Sequence, residues 1–383
     1  MKHQSSARLA RVWKAGIVAA ALVVSVSACA TGGDGGGGEP QGSTTGPVQS
    51  AELDALYAGA FTDPPSEGPV AQTGKNVWYI SCGESFAACS SSSAAFKEAG
   101  EVLGWEVTVF DGATDPGTTA NGIEQAIAAG ADGIAILATD CSLIAGALQQ
   151  AKDADIPVVN AQGLDCDTPL FTESVSVAGT PDFCGFYEEW GRQKAVYVEG
   201  AGLGEAVLDL HETSQELQRC VHDGFVERLA ECEDCNIVAD VPWSFATIGD
   251  LGSIVSSALL ANPSATAINV SADTLIPAFV GPAVQEQGLA GSLAIIGGEG
   301  YDANLELIRS GLQPVSIAFS FPWIAWGQAD ALNRVFADGA DVVQPDQGGG
   351  FQAIDIDHNL PAEGESWEPP VDFRAAYTQI WKG

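Results

Sequence analysis

The chain has 383 residues, and its 15 basic residues are outnumbered by 50 acidic ones, which gives a formal net charge of -35 at pH 7. This length suggests two domains, and a hydrophobic content of 46% predicts a folded body rather than a disordered chain. The strong negative charge excludes binding to nucleic acid and charge-driven docking on anionic lipid.

The N-terminal residues 1–29 are predicted to be a lipoprotein signal peptide. A basic start is followed by an uncharged stretch, Ala15 to Ala28, which suits a signal-peptide core and is too short to span a bilayer. This stretch ends in Val-Ser-Ala-Cys, where Cys29 resembles the lipid-modified cysteine of bacterial lipoproteins. Because Val26 stands in place of the more usual Leu, secretion without a lipid is the alternative.

Residues 30–74 are predicted to be a flexible tether. They begin with a stretch rich in Gly, Ser, Thr and Pro that includes four consecutive glycines, Gly35 to Gly38, and such a stretch cannot bury a core. We therefore expect a protein at the extracytoplasmic face of the cell membrane, held there only by its lipid anchor.

The cysteines agree with export. Eight remain without Cys29, and an even number in an exported protein predicts four disulfides, although many pairings are possible. Short separations favour Cys82 with Cys89 and Cys232 with Cys235. Cys141 and Cys166 each follow a predicted strand and could meet at one sheet edge, and this pairing leaves Cys184 with Cys220. Redox chemistry is disfavoured because acidic neighbours destabilise a thiolate, and no metal site is expected because no His lies at ligand spacing from the cysteines.

The body repeats a strand–helix pattern in two series. Short apolar strands start at residues 77, 106, 133 and 156, with amphipathic helices between them. The second series has predicted strands at Ala195–Glu199, Asn236–Val241, Ala265–Val270, Leu293–Ile296 and Val315–Phe319, and helices near 212–230, 247–261, 274–288, 302–311 and 323–338. Apolar strands that alternate with helices predict an α/β fold with two doubly wound parallel-sheet lobes. Ligands of such sheets bind beyond the carboxyl ends of the strands, which places the expected site in the cleft between the lobes.

Several short motifs occur in an order shared with a known family. Asp115-Pro116 opens a helix that leads into Gly130–Leu137, Thr139-Asp140 precedes the next helix, and Ile156–Val159, Asp223–Phe225, Asn262-Pro263 and Ile295–Gly300 follow. Over residues 75–355 this succession resembles the type I periplasmic binding proteins, specifically the ribose-binding-like receptors of ABC importers. The resemblance implies a three-segment hinge near residues 179–182, 319–322 and 343–351. It also implies one lobe of residues 75–180 and 321–343, a second of 181–320 and 344–360, and a C-terminal extension of 361–383.

The resemblance further implies a set of ligand-binding residues in the cleft. The loop after the first strand supplies Glu84, Ser85 and Phe86, and Gln162 stands where the family often has an Asp-Arg pair. The other candidates are Arg219, Trp243, Phe245, Ser271, Asp273, Glu299, Ser320 and Trp323. Aromatic planes cover the C–H faces of a sugar, and polar groups satisfy its hydroxyls. Hinge packing is the alternative for the loop aromatics, and an intradomain ion pair is the alternative for Arg219, while Phe319, Phe321 and Trp326 are expected in the core.

We therefore expect a receptor that captures a small neutral hydroxylated solute, a sugar or polyol, and delivers it to the transmembrane subunits of an ABC permease. The expected protein is a monomer without a cofactor. A ligand sensor for a membrane kinase or chemoreceptor is the alternative, because nothing in the sequence separates it from a transport receptor. A secreted hydrolase is disfavoured: Ser90 to Ser93 lack the Gly-x-Ser-x-Gly elbow, His211-Glu212 has no second His of a zinc motif, and Gly200–Gly204 lacks the phosphate-binding Lys.

Overall fold

The computed structural model describes residues 51–175, 183–342 and 344–383, which build two α/β lobes. The first lobe contains a parallel sheet in the order β2-β1-β3-β4-β5, with β1 at Asn76–Ser81, β2 at Glu106–Asp111, β3 at Gly133–Leu137, β4 at Val158–Ala161 and β5 at Glu173–Ser174. The sheet of the second lobe has the order β11-β10-β9-β8-β6-β7, with β6 at Val207–Glu212, β7 at Ile237–Trp243, β8 at Ala267–Val270, β9 at Ala294–Gly298, β10 at Val315–Ala318 and β11 at Gln352–Ile354. Only β11 pairs antiparallel within the described sheets. The predicted fold class of two parallel-sheet lobes is confirmed.

Helices pack on both faces of each sheet, and an apolar core is buried between each face and its helices. Their bounds are α1 Ala51–Ala58, α2 Ala87–Leu103, α3 Pro116–Ala128, α4 Cys141–Asp153, α5 Phe183–Gly200, α6 Glu216–Leu229, α7 Leu251–Ala261, α8 Gly281–Glu286, α9 Asp302–Arg309, α10 Phe321–Asp338 and α11 Phe373–Lys382. Alternate residues of a strand point to opposite faces, so Val77 and Tyr79 join one core while Ile80 joins another. None of the helices within the described residues has both the length and the apolar character needed to cross a bilayer.

Two of the three expected connections between the lobes lie within the described residues. The chain leaves β10 of the second lobe and enters α10, which packs against α2 of the first lobe. It returns through residues 344–351 to β11. The third expected connection, at 179–182, lies outside the described residues. The C-terminal extension packs on the first lobe, where Trp381 Nε1 of α11 donates to Asp330 Oδ1 of α10 at 3.0 Å.

One predicted strand, Ala195–Glu199, is wrong. These residues lie inside helix α5, and the first strand of the second sheet is β6, where the sequence predicted a loop and the start of a helix. Ala195, Val196, Tyr197 and Val198 are all at most 6% exposed, because α5 lies between the sheet and α6. A helix that is buried all round shows a continuous apolar run, which periodicity alone cannot distinguish from a buried strand.

Residues 51–74 differ from the predicted tether. Helix α1 buries Leu53 and Leu56, and it packs on α5 and β11 of the second lobe. The chain that follows runs toward the first lobe, where Trp105 Nε1 donates to the carbonyl of Gln72 at 2.8 Å and Arg334 Nη2 donates to that of Glu67 at 2.6 Å. The glycine-rich composition stops before residue 51, so the tether was extended too far. The predicted signal peptide, Cys29 and residues 30–50 lie outside the described residues.

Four cysteine pairs are bonded in the structure. Cys82–Cys89 joins the end of β1 to α2, Cys141–Cys166 joins α4 to the loop after β4, Cys184–Cys220 joins α5 to α6, and Cys232–Cys235 closes the turn before β7. These are the pairs that the sequence favoured. That all four form in the exported protein is a prediction, which thiol titration of the unfolded, unreduced chain would test.

Candidate functional site

A cavity of about 430 Å³ lies between the two lobes. The first lobe lines it with residues that follow the carboxyl ends of its strands, among them Phe86, Thr139 and Gln162. The second lobe contributes Trp243 at the end of β7 and Glu299 directly after β9. The parallel strands of both sheets therefore end at the cavity, as expected for the ligand site of doubly wound sheets.

Aromatic side chains form much of the cavity wall. They are Phe86, Tyr187, Trp190, Trp243, Phe245, Phe319 and Phe321. The rings of Phe86 in the first lobe and Phe245 in the second meet edge to face, with their centroids 6.4 Å apart. Beside them the backbone N–H of Glu216 in the second lobe donates to Asp140 Oδ2 in the first at 3.4 Å. The lobes therefore touch across the mouth of the cleft, so the structure shows a closed arrangement.

Three buried polar atoms of the cavity lining have no hydrogen-bond partner among the described residues. They are Gln218 Oε1, Trp243 Nε1 and Ser271 Oγ. An unpaired buried polar atom costs about 1–3 kcal/mol, so proteins rarely leave one without a partner. Three such atoms in one cavity indicate that a polar molecule, either solvent or ligand, pairs with them.

Glu299 combines burial with an unusual backbone conformation. Its φ angle is 108°, and that of Gln162 on the opposite wall is 63°, both in a region that non-glycine residues rarely occupy. Such strain is concentrated at functional sites. Burial, and then the charge of the neighbouring Asp273, raise the pKa of Glu299 well above its ordinary value. Its Oε2 accepts from the backbone N–H of Asp273 at 3.0 Å, so the carboxyl group is fixed in position.

Asp273 lies behind Glu299 and does not line the cavity. Its carboxylate accepts from the backbone N–H groups of Gly298 at 2.8 Å and Gly300 at 2.9 Å, and from Gln313 Nε2 at 3.0 Å. Burial raises the pKa of Asp273 to about 6. Burial and the charge of Asp273 therefore shift Glu299 toward its neutral form.

A buried lysine lies beneath this pair of carboxyl groups. Lys194 is 0% exposed, its Nζ donates to the carbonyl of Val270 at 2.8 Å, and it lies 4.3 Å from the centroid of the Trp190 ring. Burial lowers the pKa of Lys194 to about 8, although Asp273 and Glu299 oppose this effect. The lining of the cavity, as far as the structure describes it, contains no Lys or Arg side chain.

Six of the twelve predicted ligand residues line the cavity: Phe86, Gln162, Trp243, Phe245, Ser271 and Glu299. Their contact with a ligand stays a prediction. The other six, which are Glu84, Ser85, Arg219, Asp273, Ser320 and Trp323, lie outside the lining.

Most residues outside the lining have other partners, which corrects their predicted placement. Glu84 accepts from Ser93 Oγ at 3.1 Å, while Ser85 is exposed. Arg219 pairs with Glu216 and Asp223 on its own helix, as in the alternative of an intradomain ion pair. The hydroxyl of Ser320 caps α10 by accepting from the backbone N–H of Trp323 at 3.2 Å, and Trp323 Nε1 donates to the carbonyl of Gln347 at 2.8 Å.

Among the lining residues that were not predicted from the sequence are four aromatic residues and one glutamine. Tyr187 and Trp190 lie on α5, whose second half was taken for a strand, and Phe319 and Phe321 were expected only in the core. Both phenylalanines do belong to the core, but they also reach the cavity. Gln218 lies one position from the predicted Arg219, and the spacing of Leu217 and Val221 on the buried face of α6 could have selected it.

Comparisons with known proteins agree with this architecture. Residues 89–340 match the family model described as a periplasmic binding protein domain. A comparison with curated proteins found no significant match. Among solved structures, the periplasmic binding protein component of the arabinose ABC transporter from Shewanella sp. ANA-3 shares 18% identity at a TM-score of 0.62, over 80% of this chain and 96% of that chain.

Two further structures are similar. An ABC transporter solute-binding protein from Actinobacillus succinogenes 130z, solved with D-allose, has 19% identity and a TM-score of 0.62 over 74% of this chain and 98% of that chain. The fructose-binding periplasmic domain of a hybrid two-component system has 13% identity and a TM-score of 0.61 over 74% of this chain and 91% of that chain. Identities this low show a shared fold.

Proposed function

The chain belongs to the periplasmic binding protein domain family, and we propose that it is an extracytoplasmic receptor for a small, neutral, hydroxylated solute, a sugar or polyol, which it delivers to an ABC importer. The observation that carries this proposal is the set of three unpartnered polar atoms, on Gln218, Trp243 and Ser271, in a cavity walled by aromatic rings. A receptor that returns its solute unchanged also accounts for this cleft without any catalytic step.

The three atoms differ in their hydrogen-bonding capacity, and a polyhydroxyl solute matches all of them. Trp243 Nε1 can only donate, Gln218 Oε1 can only accept, and Ser271 Oγ can do both. Each hydroxyl of a sugar donates and accepts, and its C–H faces pack against aromatic rings. A purely apolar molecule would leave the polar atoms unpaired, so the cleft rejects it.

The charges around the cavity favour a neutral solute. An anion would find no basic side chain among the described lining residues, in a chain of net charge -35. The two lining aspartates have structural roles: Asp115 Oδ1 caps α3 by accepting from the backbone N–H of Thr118 at 2.7 Å, and Asp140 Oδ1 accepts from that of Leu164 at 2.8 Å. The neutral form of Glu299 adds a group that can both donate to and accept from a hydroxyl.

Binding and lobe closure are coupled in this proposal. Phe86 and Gln162 of the first lobe capture the solute, and closure brings Gln218, Trp243 and Glu299 of the second lobe onto it. The bound solute shifts the population toward the closed form, which the permease recognises. A lipid on Cys29, followed by the glycine-rich segment up to residue 50, keeps the receptor close to that permease.

A thermal-shift screen of the chain lacking residues 1–29 tests the ligand class. The panel contains sugars, polyols and nucleosides, with sugar phosphates and amino acids as charged controls. We expect a neutral hydroxylated compound to raise the melting temperature and to bind with a stoichiometry of one in calorimetry. A response confined to charged compounds, or conversion of the solute into a product, would contradict the proposal.

Calorimetry on Trp243→Ala then tests the location of the site. The control is Trp367→Ala, because Trp367 is a half-buried tryptophan of the C-terminal extension that lies outside the cavity lining, and its Nε1 donates to Gln352 Oε1 of β11 at 3.2 Å. We expect Trp243→Ala to weaken binding and the control to leave it unchanged. Equal affinity of Trp243→Ala and the parent would place the solute elsewhere.

Sensing is the second candidate function. It is supported by the similarity to the fructose-binding periplasmic domain of a hybrid two-component system, which shares only the fold at 13% identity. Uptake of the labelled solute by cells with and without this gene separates the two functions. Lost uptake supports the importer, whereas normal uptake with a lost transcriptional response supports the sensor.

A further inference from the structure

A cluster of two histidines and two aspartates lies in the second lobe, outside the cleft lining. Asp209 and His211 are two residues apart on β6, so they share one face of the sheet, and Asp240 on β7 lies directly opposite Asp209. Helix α6 brings His222 to the same place. One ligand atom from each of the four side chains lies within 4.8 Å of the others.

The contacts inside the cluster leave nitrogen and oxygen atoms directed toward one another. His222 Nδ1 lies 2.6 Å from Asp209 Oδ2, and His211 Nδ1 lies 2.7 Å from Asp240 Oδ1. The His211 Nδ1 atom is buried, yet it makes no hydrogen bond of acceptable geometry despite the short distance to Asp240. This nitrogen therefore lies at ion-pair distance from Asp240 without an aligned hydrogen bond to it.

We propose that these four side chains bind one divalent transition-metal ion of the Zn²⁺ class. Imidazole nitrogens and carboxylate oxygens bind Zn²⁺ at about 2.0–2.2 Å, and four such ligands complete a tetrahedral site. Two nitrogen donors among four make Ca²⁺ and Mg²⁺ poor occupants, since these ions take oxygen ligands. Two carboxylates also balance the charge of the ion.

Binding requires a modest rearrangement of the side chains. The rings of His211 and His222 are stacked with centroids 4.0 Å apart and planes 27° apart, so one ring must turn before both nitrogens point at a single ion. Ligand atoms in a tetrahedral zinc site are about 3.4 Å apart, whereas here the two histidine–aspartate pairs lie at 2.6 and 2.7 Å and the four ligand atoms lie within 4.8 Å of one another. The side chain of Asp240 is 58% exposed, so it is free to move and leaves a path for the ion.

The surroundings support a metal ligand set. Asp209 is fully buried, and its Oδ1 accepts from Asn269 Nδ2 at 2.7 Å, which orients the carboxylate in the way that outer-shell partners orient metal ligands. The ion would link helix α6 to strands β6 and β7. No metal was expected from the sequence, because neither the cysteines nor His211-Glu212 have a histidine at zinc-ligand spacing, whereas the fold brings His211 and His222 together from a strand and a helix.

Metal titration of the chain lacking residues 1–29 tests the site. The protein is prepared without a histidine tag, freed of metal with a chelator, and titrated with Zn²⁺ by calorimetry. Co²⁺ serves as a second probe, because its visible absorption reports tetrahedral coordination. We expect one ion per chain and a higher melting temperature in the presence of Zn²⁺. Absence of binding, or a Co²⁺ spectrum without tetrahedral character, would overturn the proposal.

Variants identify the ligands. We expect His222→Gln and Asp240→Asn each to lower Zn²⁺ affinity about tenfold or more. His358→Gln is the matched control, because His358 Nδ1 also lies near a carboxylate, 2.9 Å from Asp355 Oδ1, but forms no such cluster with other described residues. If His222→Gln fails to fold, the exposed Asp240→Asn decides the question. Unchanged affinity in Asp240→Asn, or an equal loss in His358→Gln, would refute the site.

Discussion

Replacing Glu299 separates the contribution of its carboxyl group to solute binding from the strain of its backbone. Alanine removes the whole carboxyl group. Glutamine keeps its shape and, like the neutral carboxyl that burial favours, can both donate and accept. Glycine removes the carboxyl group and also relieves the strain at a φ angle of 108°.

The expected magnitudes follow from the contacts of Glu299. In Glu299→Ala the solute loses one hydrogen bond inside a buried site, and the backbone N–H of Asp273 loses the acceptor that lies 3.0 Å away. The solute hydroxyl that is left unpaired in the buried site costs about 2–3 kcal/mol, or roughly 30- to 150-fold in affinity, whereas the bond lost at Asp273 is missing with and without solute and lowers the stability instead. Glu299→Gln retains both contacts, so its affinity should stay within about tenfold of the parent.

Calorimetry measures these affinities, and urea unfolding measures the stability of the same variants. Glu299→Gly and Glu299→Ala should bind the solute equally weakly, yet the glycine variant should be about 1–3 kcal/mol more stable to unfolding. The control is Glu306→Ala, since Glu306 is exposed on α9 and pairs with Arg309. If Glu299→Ala binds within about threefold of the parent, the carboxyl group does not contact the solute and this reasoning fails.

Three further predictions concern the buried lysine, the anchor and the cysteines. Lys194→Met leaves the nearby carboxylates without a buried cation, so the free energy of unfolding in urea at pH 7 should fall by about 3–5 kcal/mol. A fall below about 1 kcal/mol would show that Lys194 does not stabilise these carboxylates. The pKa of Lys194 falls from 10.5 to about 8 on folding, so between these pH values the unfolded chain binds more protons than the folded protein. The free energy of unfolding should therefore rise from pH 8 toward pH 10 in the parent but not in Lys194→Met. Cys29→Ser should move the protein from the membrane fraction to the soluble fraction, and full retention in the membrane would exclude the lipid anchor. Thiol titration of the unfolded, unreduced chain lacking residues 1–29 should find almost no free thiols, whereas two or more would refute the four-disulfide scheme.

The fold could be predicted wherever a strand is short, apolar and bounded by polar turns. Strands β1 to β4 lie within two residues of their predicted starts for this reason. Helix α5 could not be predicted in full, because residues 195–198 are all buried and apolar and lack the polar face that marks a helix in a sequence. Helix α1 was missed because Ala51–Ala58 follows a glycine-rich stretch and is only two turns long.

The candidate site was predictable to the extent that it lies at the ends of predicted strands. Trp243 and Glu299 are of this kind, because Trp243 ends β7, Glu299 directly follows β9, and the cleft of doubly wound sheets lies at the carboxyl ends of the strands. Trp190 and Gln218 lie on helices, where a shift of one residue turns a side chain by about 100° and decides whether it reaches the cavity. His211 and His222 meet only through the packing of α6 on the sheet, which no local pattern reports.

A crystal structure of the chain with the solute found by the screen tests the proposed receptor function most directly. We predict one solute molecule between the lobes, with hydroxyl groups at hydrogen-bond distance from Trp243 Nε1, Gln218 Oε1 and Ser271 Oγ, and with a C–H face against the aromatic wall. A solute bound outside the cleft, with water alone paired to these three atoms, would contradict the proposed function.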